Sequence, residues 1–428
     1  CFLDFQDSRI MKFIDLFCGT GGIRIGFQQA CADLGIDSEC VFSSEIDKAA
    51  RESYRSNFGE YPSGDIRKIQ EIPNHDVLLA GFPCQAFSYA GKRQGFGDTR
   101  GTLFFEIEKI LREKQPQAFL LENVRGLTPH DHGRTFRTII ERCEASGYSV
   151  HHALLNSSNF GVPQNRVRIY LIGVLSKPIK SSLITDLGAA DSHKFKQYRE
   201  QSRLFQTSKT HSVVRDILET KVPDRFLCSK SFVQLLKEAI GGDLSRLAGA
   251  RLIDYRGGNS IHSWQLGLKG KCSQDEIELM NAILKNRRKK IFGQHQDGKA
   301  LSKEQISTFF PNASLSNLLE SLQMKGYLSN KNSKFNPVCG NMSFEVFKFL
   351  DPDSISITLT ASDTNRLGVF HDGKVRRITP REAARLQGFP EEYNLVGSDN
   401  AIYKQMGNAV TVPVVNAVAR DLLERNFT

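Results

Sequence analysis

The first 175 residues alternate short apolar strands with helices, and this alternation constrains the fold more than any other feature of the sequence. Strands are predicted at Lys12–Phe17, Glu39–Ser44, Val77–Gly81, Ala118–Glu122, Ser149–Leu155 and Val167–Val174. Helices are predicted between them near 22–34, 47–57, 102–114 and 134–145. Strands this short and this apolar need cover on both faces. That predicts an α/β fold with a doubly wound, mostly parallel sheet. Such sheets bind ligands at the carboxyl ends of their strands.

From about Lys177 the alternation stops and the charge changes. Residues 181–370 carry 27 Lys+Arg against 19 Asp+Glu, a net +8 of the chain's +10. The flanking segments 1–180 and 371–428 are each +1. Solvating charge would be spread evenly, so this concentration points to a polyanionic partner. Three segments are therefore expected: 1–180, a basic middle 181–370, and a return to the first domain over 371–428. The chain of 428 residues is 40% hydrophobic and 24% charged. That is an ordinary globular balance, which excludes disorder, collagen and coiled coil as the main state. No apolar run approaches the ~18 residues of a membrane span, so no membrane partner is expected.

Within the middle segment, 274–290 reads as a helix with acidic residues first and a basic end at Lys285–Lys290. Residues 302–309 form a helix capped by Ser302. A break at Pro311–Asn312 precedes 313–324, where Leu315, Leu318, Leu319 and Leu322 fall at helical spacing. Gly326 ends that helix and a strand starts at Tyr327. Helix, turn, helix, strand is the layout of a winged-helix unit, and equally of a plain helical hairpin. Trp264, the only tryptophan, reads as core. The last helix is expected from about Asn408 to Arg425.

The nine cysteines include no C-x-x-C pair and show neither a zinc pattern nor a disulfide framework. A reducing cytoplasm and no metal are expected. Met11 stands just before the first strand, so residues 1–10 read as an upstream extension or a truncation remnant.

Chemistry clusters at the strand ends. Strand Phe13–Phe17 runs into Cys18-Gly19-Thr20-Gly21-Gly22, where glycines let a cofactor approach the backbone. Glu45, 24 positions after Gly21, lies near the offset at which a carboxylate takes ribose hydroxyls. Asp65 is placed to accept from an adenine amine. No G-x-G-x-x-G is present, which disfavours NAD and favours S-adenosylmethionine. The strand at 77–80 ends in Gly81-Phe82-Pro83-Cys84-Gln85, an exposed thiol in a turn. Glu122-Asn123-Val124 closes the next strand, and Gln164-Asn165-Arg166 with Arg168 opens another. A thiol, a carboxyl and two guanidiniums at one sheet edge are the parts of covalent catalysis.

These stretches, with Arg377-Ile378-Thr379-Pro380-Arg381-Glu382 and Gln405-Met406-Gly407-Asn408-Ala409-Val410, fall in the order seen in DNA (cytosine-5)-methyltransferases. The chain resembles that family, of the bacterial restriction–modification type, over 12–175 and about 357–428. The resemblance implies the S-adenosylmethionine-dependent methyltransferase fold, with residues 181–356 as a target-recognition insert. It implies that Cys84 attacks cytosine C6 and that Glu122 binds N3 and the exocyclic amine. Arg166, and more loosely Arg168, would hold the O2 side and the active-site carboxylate. Phe17, Gly19, Gly21, Glu45, Ile46, Asp65, Ile66, Pro83, Leu103 and Asn408 would line the cofactor pocket. With Asn408 there, the C-terminal helix must pack back onto the sheet.

A buried thiol cannot reach a base inside a duplex, so the cytosine must flip out. Ser88–Gly101 reads as a closing lid, with Ser88, Lys92, Arg93 and Arg100 toward DNA. Arg251, Arg256 and Asn259 are candidate base readers. The partner implied is double-stranded DNA, bound by a monomer in the bacterial cytoplasm at the nucleoid. A cognate endonuclease would belong to the same system without direct contact. Two alternatives stand beside this reading. An RNA cytosine-5 methyltransferase of the same fold fits the long insert poorly. A catalytically silent DNA-binding accessory protein fits the intact Cys84, Glu122 and Arg166 poorly.

Overall fold

The structure, a computed structural model, describes residues 10–83, 102–185, 213–254, 258–294, 298–338 and 344–427. The chain forms two compact units. One comprises 1–219, 353–365 and 380–428, and the other 220–352 and 366–379. The second unit is thus interrupted by 353–365, which lie with the first.

The first unit is built on a six-stranded sheet: β1 (Met11–Leu16), β2 (Ser38–Ser44), β3 (Val77–Gly81), β4 (Ala118–Val124), β5 (Tyr148–Asn156) and β6 (Val167–Leu175). Its order is β2-β1-β3-β4-β6-β5. Pairing is parallel except at β6, which runs antiparallel to both neighbours. Between the strands lie α1 (Gly22–Asp33), α2 (Lys48–Phe58), α3 (Thr102–Lys114) and α4 (Arg134–Ala145). Central strands are buried on both faces, as in β3, where Val77, Leu78, Leu79 and Ala80 are all fully covered. Two apolar layers result. Phe104, Ile107, Leu111 and Ile139 from α3 and α4 cover one face. Phe27 and Ala30 of α1 lie on the other. This is the expected doubly wound α/β fold. Chain order reverses between β1 and β3, which opens a crevice at their carboxyl ends.

The second unit contains α5 (Lys230–Ile240), strands β7 (Arg251–Leu252) and β8 (Ser260–Ile261), and α6 (Gln274–Asn286). Next come β9 (Leu301–Ser302), α7 (Lys303–Ser307), α8 (Leu315–Met324) and the hairpin β10 (Leu328–Lys331) and β11 (Lys334–Pro337). Strands β12 (Lys348–Leu350), β13 (Leu367–His371) and β14 (Lys374–Arg377) complete it. It has one sheet of order β14-β13-β12-β7-β8 and another of order β10-β11-β9. Trp264 is buried, stacked on His262 at 4.4 Å, and its Nε1 donates to Asn281 at 3.0 Å.

The chain then returns to the first unit through α9 (Pro380–Leu386), α10 (Asp399–Asn408) and α11 (Val412–Asn426). The last helix, expected from about Asn408 to Arg425, starts four residues later, because Asn408 ends α10 and Ala409–Thr411 separate it from α11. The signal was Pro413, whose missing N–H is tolerated only in a first turn. Helix α11 packs Val414, Val415, Val418 and Leu422 into the same layer as Phe27 and Ala30, which carries the neighbouring Asn408 to the sheet edge.

Candidate active site

The backbone after β1 bends sharply. Phe17, Gly19 and Gly21 all have left-handed φ, at 54°, 53° and 84°. A bulky residue such as Phe17 holds that conformation at a cost of order 1–3 kcal/mol, which neighbouring bonds must offset. Cys18 N–H donates to the Ser44 carbonyl at 3.0 Å, and Gly19 N–H donates to Glu45 Oε2 at 2.9 Å. Glu45 Oε1 accepts from Ile46 and Asp47 N–H, both at 2.8 Å. The carboxylate is thus fixed by three backbone donors and keeps lone-pair capacity for a hydroxyl.

This loop forms one wall of a cavity of about 560 Å3, within the usual range for small-molecule sites. Phe17, Gly19, Glu45, Ile46, Asp65, Ile66, Pro83, Leu103 and Asn408 line it. Ile46 is 73% exposed, a large apolar side chain turned to open space rather than core. Gly21, expected among the lining residues, is not one of them. Its Cα faces the Phe58 ring, which a Cβ would meet at 2.3 Å, so this glycine supports the turn from behind. At Gly19, by contrast, a Cβ would meet nothing within 4 Å. Asp65 is already engaged, because Arg67 Nε donates to both of its oxygens at 2.9 and 3.1 Å. That guanidinium holds the Asp65 carboxyl below its ordinary range. Among the described residues no group of His, Cys, Asp and Glu is arranged to hold a metal ion.

Glu122, Arg166 and Arg168 line the same cavity. Because β6 is antiparallel to β4, Tyr170 sits opposite Glu122 and Arg168 opposite Val124. Arg168 Nε then reaches Glu122 Oε1 at 3.2 Å. Arg166 does not make this contact. Its Nη1 donates to Leu359 O at 2.8 Å, and its Nη2 to Gly407 O at 3.3 Å and Ala409 O at 2.6 Å. This reverses the expected precedence. Arg168 pairs with the carboxylate, while Arg166 braces the backbone on either side of Asn408. Burial pushes the Glu122 carboxyl above its ordinary range, and the charges of Arg168 and then Arg166 oppose the shift. Burial beside Arg168 likewise pushes Arg166 down, although a guanidinium stays charged.

Asn123 was not singled out from sequence. Its Nδ2 donates to Phe82 O at 2.9 Å and its Oδ1 accepts from Val124 N–H at 2.8 Å, so it ties the ends of β3 and β4 together. Its place between Glu122 and Val124 was the available signal. Cys84, Ser88, Lys92, Arg93, Arg100 and Arg256 lie outside the described residues. Arg251 and Asn259 belong to the second unit, where Arg251 is in β7 and Asn259 Nδ2 donates to Ala248 O at 3.0 Å.

A family model described as C-5 cytosine-specific DNA methylase matches residues 11–424. The Type II methyltransferase M.BanI of Aneurinibacillus aneurinilyticus is 59% identical over 97% of this chain and 96% of its own. M.HgiCI of Herpetosiphon aurantiacus is 58% identical over 97% and 98%. M.NlaIV of Neisseria lactamica is 43% identical over 96% and 99%. The Dnmt2 methyltransferase of S. pombe superposes with a TM-score of 0.54 at 16% identity, over 98% of this chain and 100% of its own. That likeness concerns the fold alone. With a family match over nearly its whole length and relatives of this identity, the chain belongs to the C-5 cytosine-specific DNA methylases and is a DNA cytosine-5-methyltransferase of the restriction–modification type.

Proposed function

We propose that the protein moves a methyl group from S-adenosylmethionine to C5 of a cytosine flipped out of duplex DNA, through a bond between Cys84 and C6. One observation carries the reading. The buried Glu122–Arg168 pair opens into the same cavity as Phe17, Glu45 and Ile46. Groups suited to a pyrimidine and groups suited to an adenosine therefore share one space.

The cavity fits the cofactor by its chemistry. Phe17 and Ile46 offer apolar surface for adenine, and the fixed Glu45 carboxylate accepts from ribose. The open space beside Gly19 leaves the backbone approachable. Bound there, S-adenosylmethionine supplies an electrophilic methyl sulfonium.

Cytosine C5 is a poor nucleophile until C6 is substituted. The Cys84 thiolate forms a bond to C6, and the C5–C6 π electrons move toward C5 while Glu122 gives its proton to N3. Arg168 holds the Glu122 carboxyl in place and stabilises the carboxylate left behind. Once C5 has taken the methyl group, leaving S-adenosylhomocysteine as the product, a base removes the C5 proton, the double bond re-forms and the thiolate leaves C6. Glu122 then recovers the N3 proton. The six described cysteines support this assignment indirectly. All are free, and burial pushes each thiol above its ordinary range, unlike an activated nucleophile. Pro83, the last described residue before Cys84, lines the cavity. Glu122 is 8% exposed, too recessed for a stacked base, which supports flipping. The second unit is assigned to target recognition, in keeping with its 24 Lys+Arg against 13 Asp+Glu, a net +11.

Incubation with methyl-labelled S-adenosylmethionine and either duplex DNA or RNA tests the substrate. Label is expected in DNA, and label in RNA alone would overturn the reading. Duplex DNA containing 5-fluorocytosine should trap a covalent adduct. Cys84→Ala should abolish both transfer and adduct while retaining DNA binding, and an adduct that survives this change would exclude Cys84.

A further inference from the structure

Residues 273–338 build a small fold within the second unit. Helix α6 is followed by β9, α7, α8 and the β10–β11 hairpin, and β11 lies between β10 and β9. This is the order and pairing of a winged helix rather than a plain helical hairpin. The unit has its own core, which includes Leu279, Ile283, Leu301, Ile306, Leu319 and Tyr327.

Helix α8 is held from behind. It buries Leu315, Leu319 and Leu322. Ser321 Oγ donates to Glu276 Oε1 at 2.6 Å, and Lys325 Nζ donates to the same carboxylate at 2.7 Å. Its outward face is therefore presented rigidly. That face exposes Ser316, Asn317, Glu320 and Gln323, and ends in Met324 at 77% exposure. Amides read adenine edges, a carboxylate accepts from the cytosine amine, and an apolar side chain meets the thymine methyl. A helix of ten residues is about 15 Å long and fits the major groove.

The hairpin adds a second, independent feature. Asn332 and Ser333 have φ of 53° and 58°, which makes a tight two-residue turn. The turn displays Lys331 and Lys334 side by side, both exposed, and neither forms an ion pair with a described residue. Cations at the tip of a stiff hairpin suit a phosphate backbone.

We propose that α8 enters the major groove of the target DNA and reads base edges through Asn317, Glu320 and Gln323, while Lys331 and Lys334 grip a flanking phosphate. The inference rests on the DNA substrate of the proposed function and adds the residues that select the site. The test uses the full-length protein, a sequenced plasmid and bisulfite sequencing of the methylated product. Asn317→Ala with Gln323→Ala should lower the rate at the wild-type sites by roughly 5- to 150-fold per lost contact. It should also spread methylation to related sequences. Lys331→Ala with Lys334→Ala should slow all sites in the same ratio without changing which are methylated. In fluorescence-anisotropy titrations with labelled fragments of that plasmid, it should also reduce the slope of log affinity against log salt by about 2. All four positions are exposed, and unchanged S-adenosylmethionine binding confirms an intact first unit. An amide double variant with wild-type sites and rate would overturn the role of α8. An unchanged salt slope would overturn that of the hairpin. If the wild type methylates nothing, the proposed reaction has failed, and the titrations still decide the phosphate contact.

Discussion

Glu122 shows how placement sets chemistry. Burial raises its pKa, and the charge of Arg168 opposes the shift more than any other neighbour. Removing that charge raises it further, so the carboxyl keeps its proton to higher pH. Since the protonated form donates to N3, the alkaline limb of the single-turnover rate should move to higher pH in Arg168→Ala, with the maximum reduced about a hundredfold. Arg168→Lys should leave the limb near its wild-type position, and an unmoved limb in Arg168→Ala would separate the two groups. Asp15 makes a second residue-scale case. It is fully buried behind the cofactor loop, accepts from Tyr54 Oη at 3.4 Å, and burial pushes its pKa up to about 7. Between the ordinary aspartate range and pH 7 the folded chain then holds a proton that the unfolded chain has lost, so stability falls as pH rises and levels off above 7. Asp15→Asn removes that dependence. Its stability relative to wild type should improve by a few kcal/mol from pH 4.5 to pH 7.5, as read from denaturant midpoints at both pH values. Much of the site was legible at this scale because strand-end motifs are local. The partner of Glu122 was not. Arg166 and Arg168 share one short motif, and only the register of β6 against β4, some 45 residues apart in sequence, decides which arginine reaches the carboxylate.

Helices and strands were legible where apolar periodicity is strong and less so where a tertiary contact decides. All six strands of the first sheet lie within two residues of their expected limits. The reversed direction of β6 and the break before α11 depend on what packs against them. The α1–α11 contact shows the constraint. Gly26 of α1 lies against α11, where an added Cβ would come within 2.7 Å of Val415 Cβ and 2.8 Å of the Val412 carbonyl. The second neighbour is backbone and cannot rotate away. Gly26→Ala gains helix propensity of about 1 kcal/mol but must push the two helices apart. A net loss of about 1–3 kcal/mol is expected in chemical denaturation. Because α11 follows directly on the segment carrying Asn408, S-adenosylmethionine binding should weaken as well. Gly126→Ala, at a position outside the left-handed region where an added Cβ would come no nearer than 3.9 Å to Val124 Cγ2, is the comparison for a glycine change without this clash.

At the scale of the whole molecule, charge and chemistry are separated along the chain. The cavity is lined entirely by residues of the first unit, which carries 33 Lys+Arg against 34 Asp+Glu and is nearly neutral, whereas the second unit carries 24 against 13, a net +11. The charge imbalance was visible in the sequence, but the interleaving of 353–365 and 366–379 between units was not, because it depends on which sheet each short segment joins. This separation has a thermodynamic consequence. Phosphate binding releases counterions, so log affinity for DNA falls linearly with log salt. A cofactor held by apolar contact and hydrogen bonds releases few. Raising salt from 50 to 200 mM should weaken duplex binding by about three orders of magnitude if six phosphates are neutralised. Over the same range the Kd for S-adenosylmethionine, measured by calorimetry without DNA, should change by less than about twofold, since the Debye length shortens while the buried contacts are little screened. A cofactor affinity that followed salt as steeply as DNA affinity would mean that the cavity is held by the same basic charge as the duplex, and the two functions would not be separable.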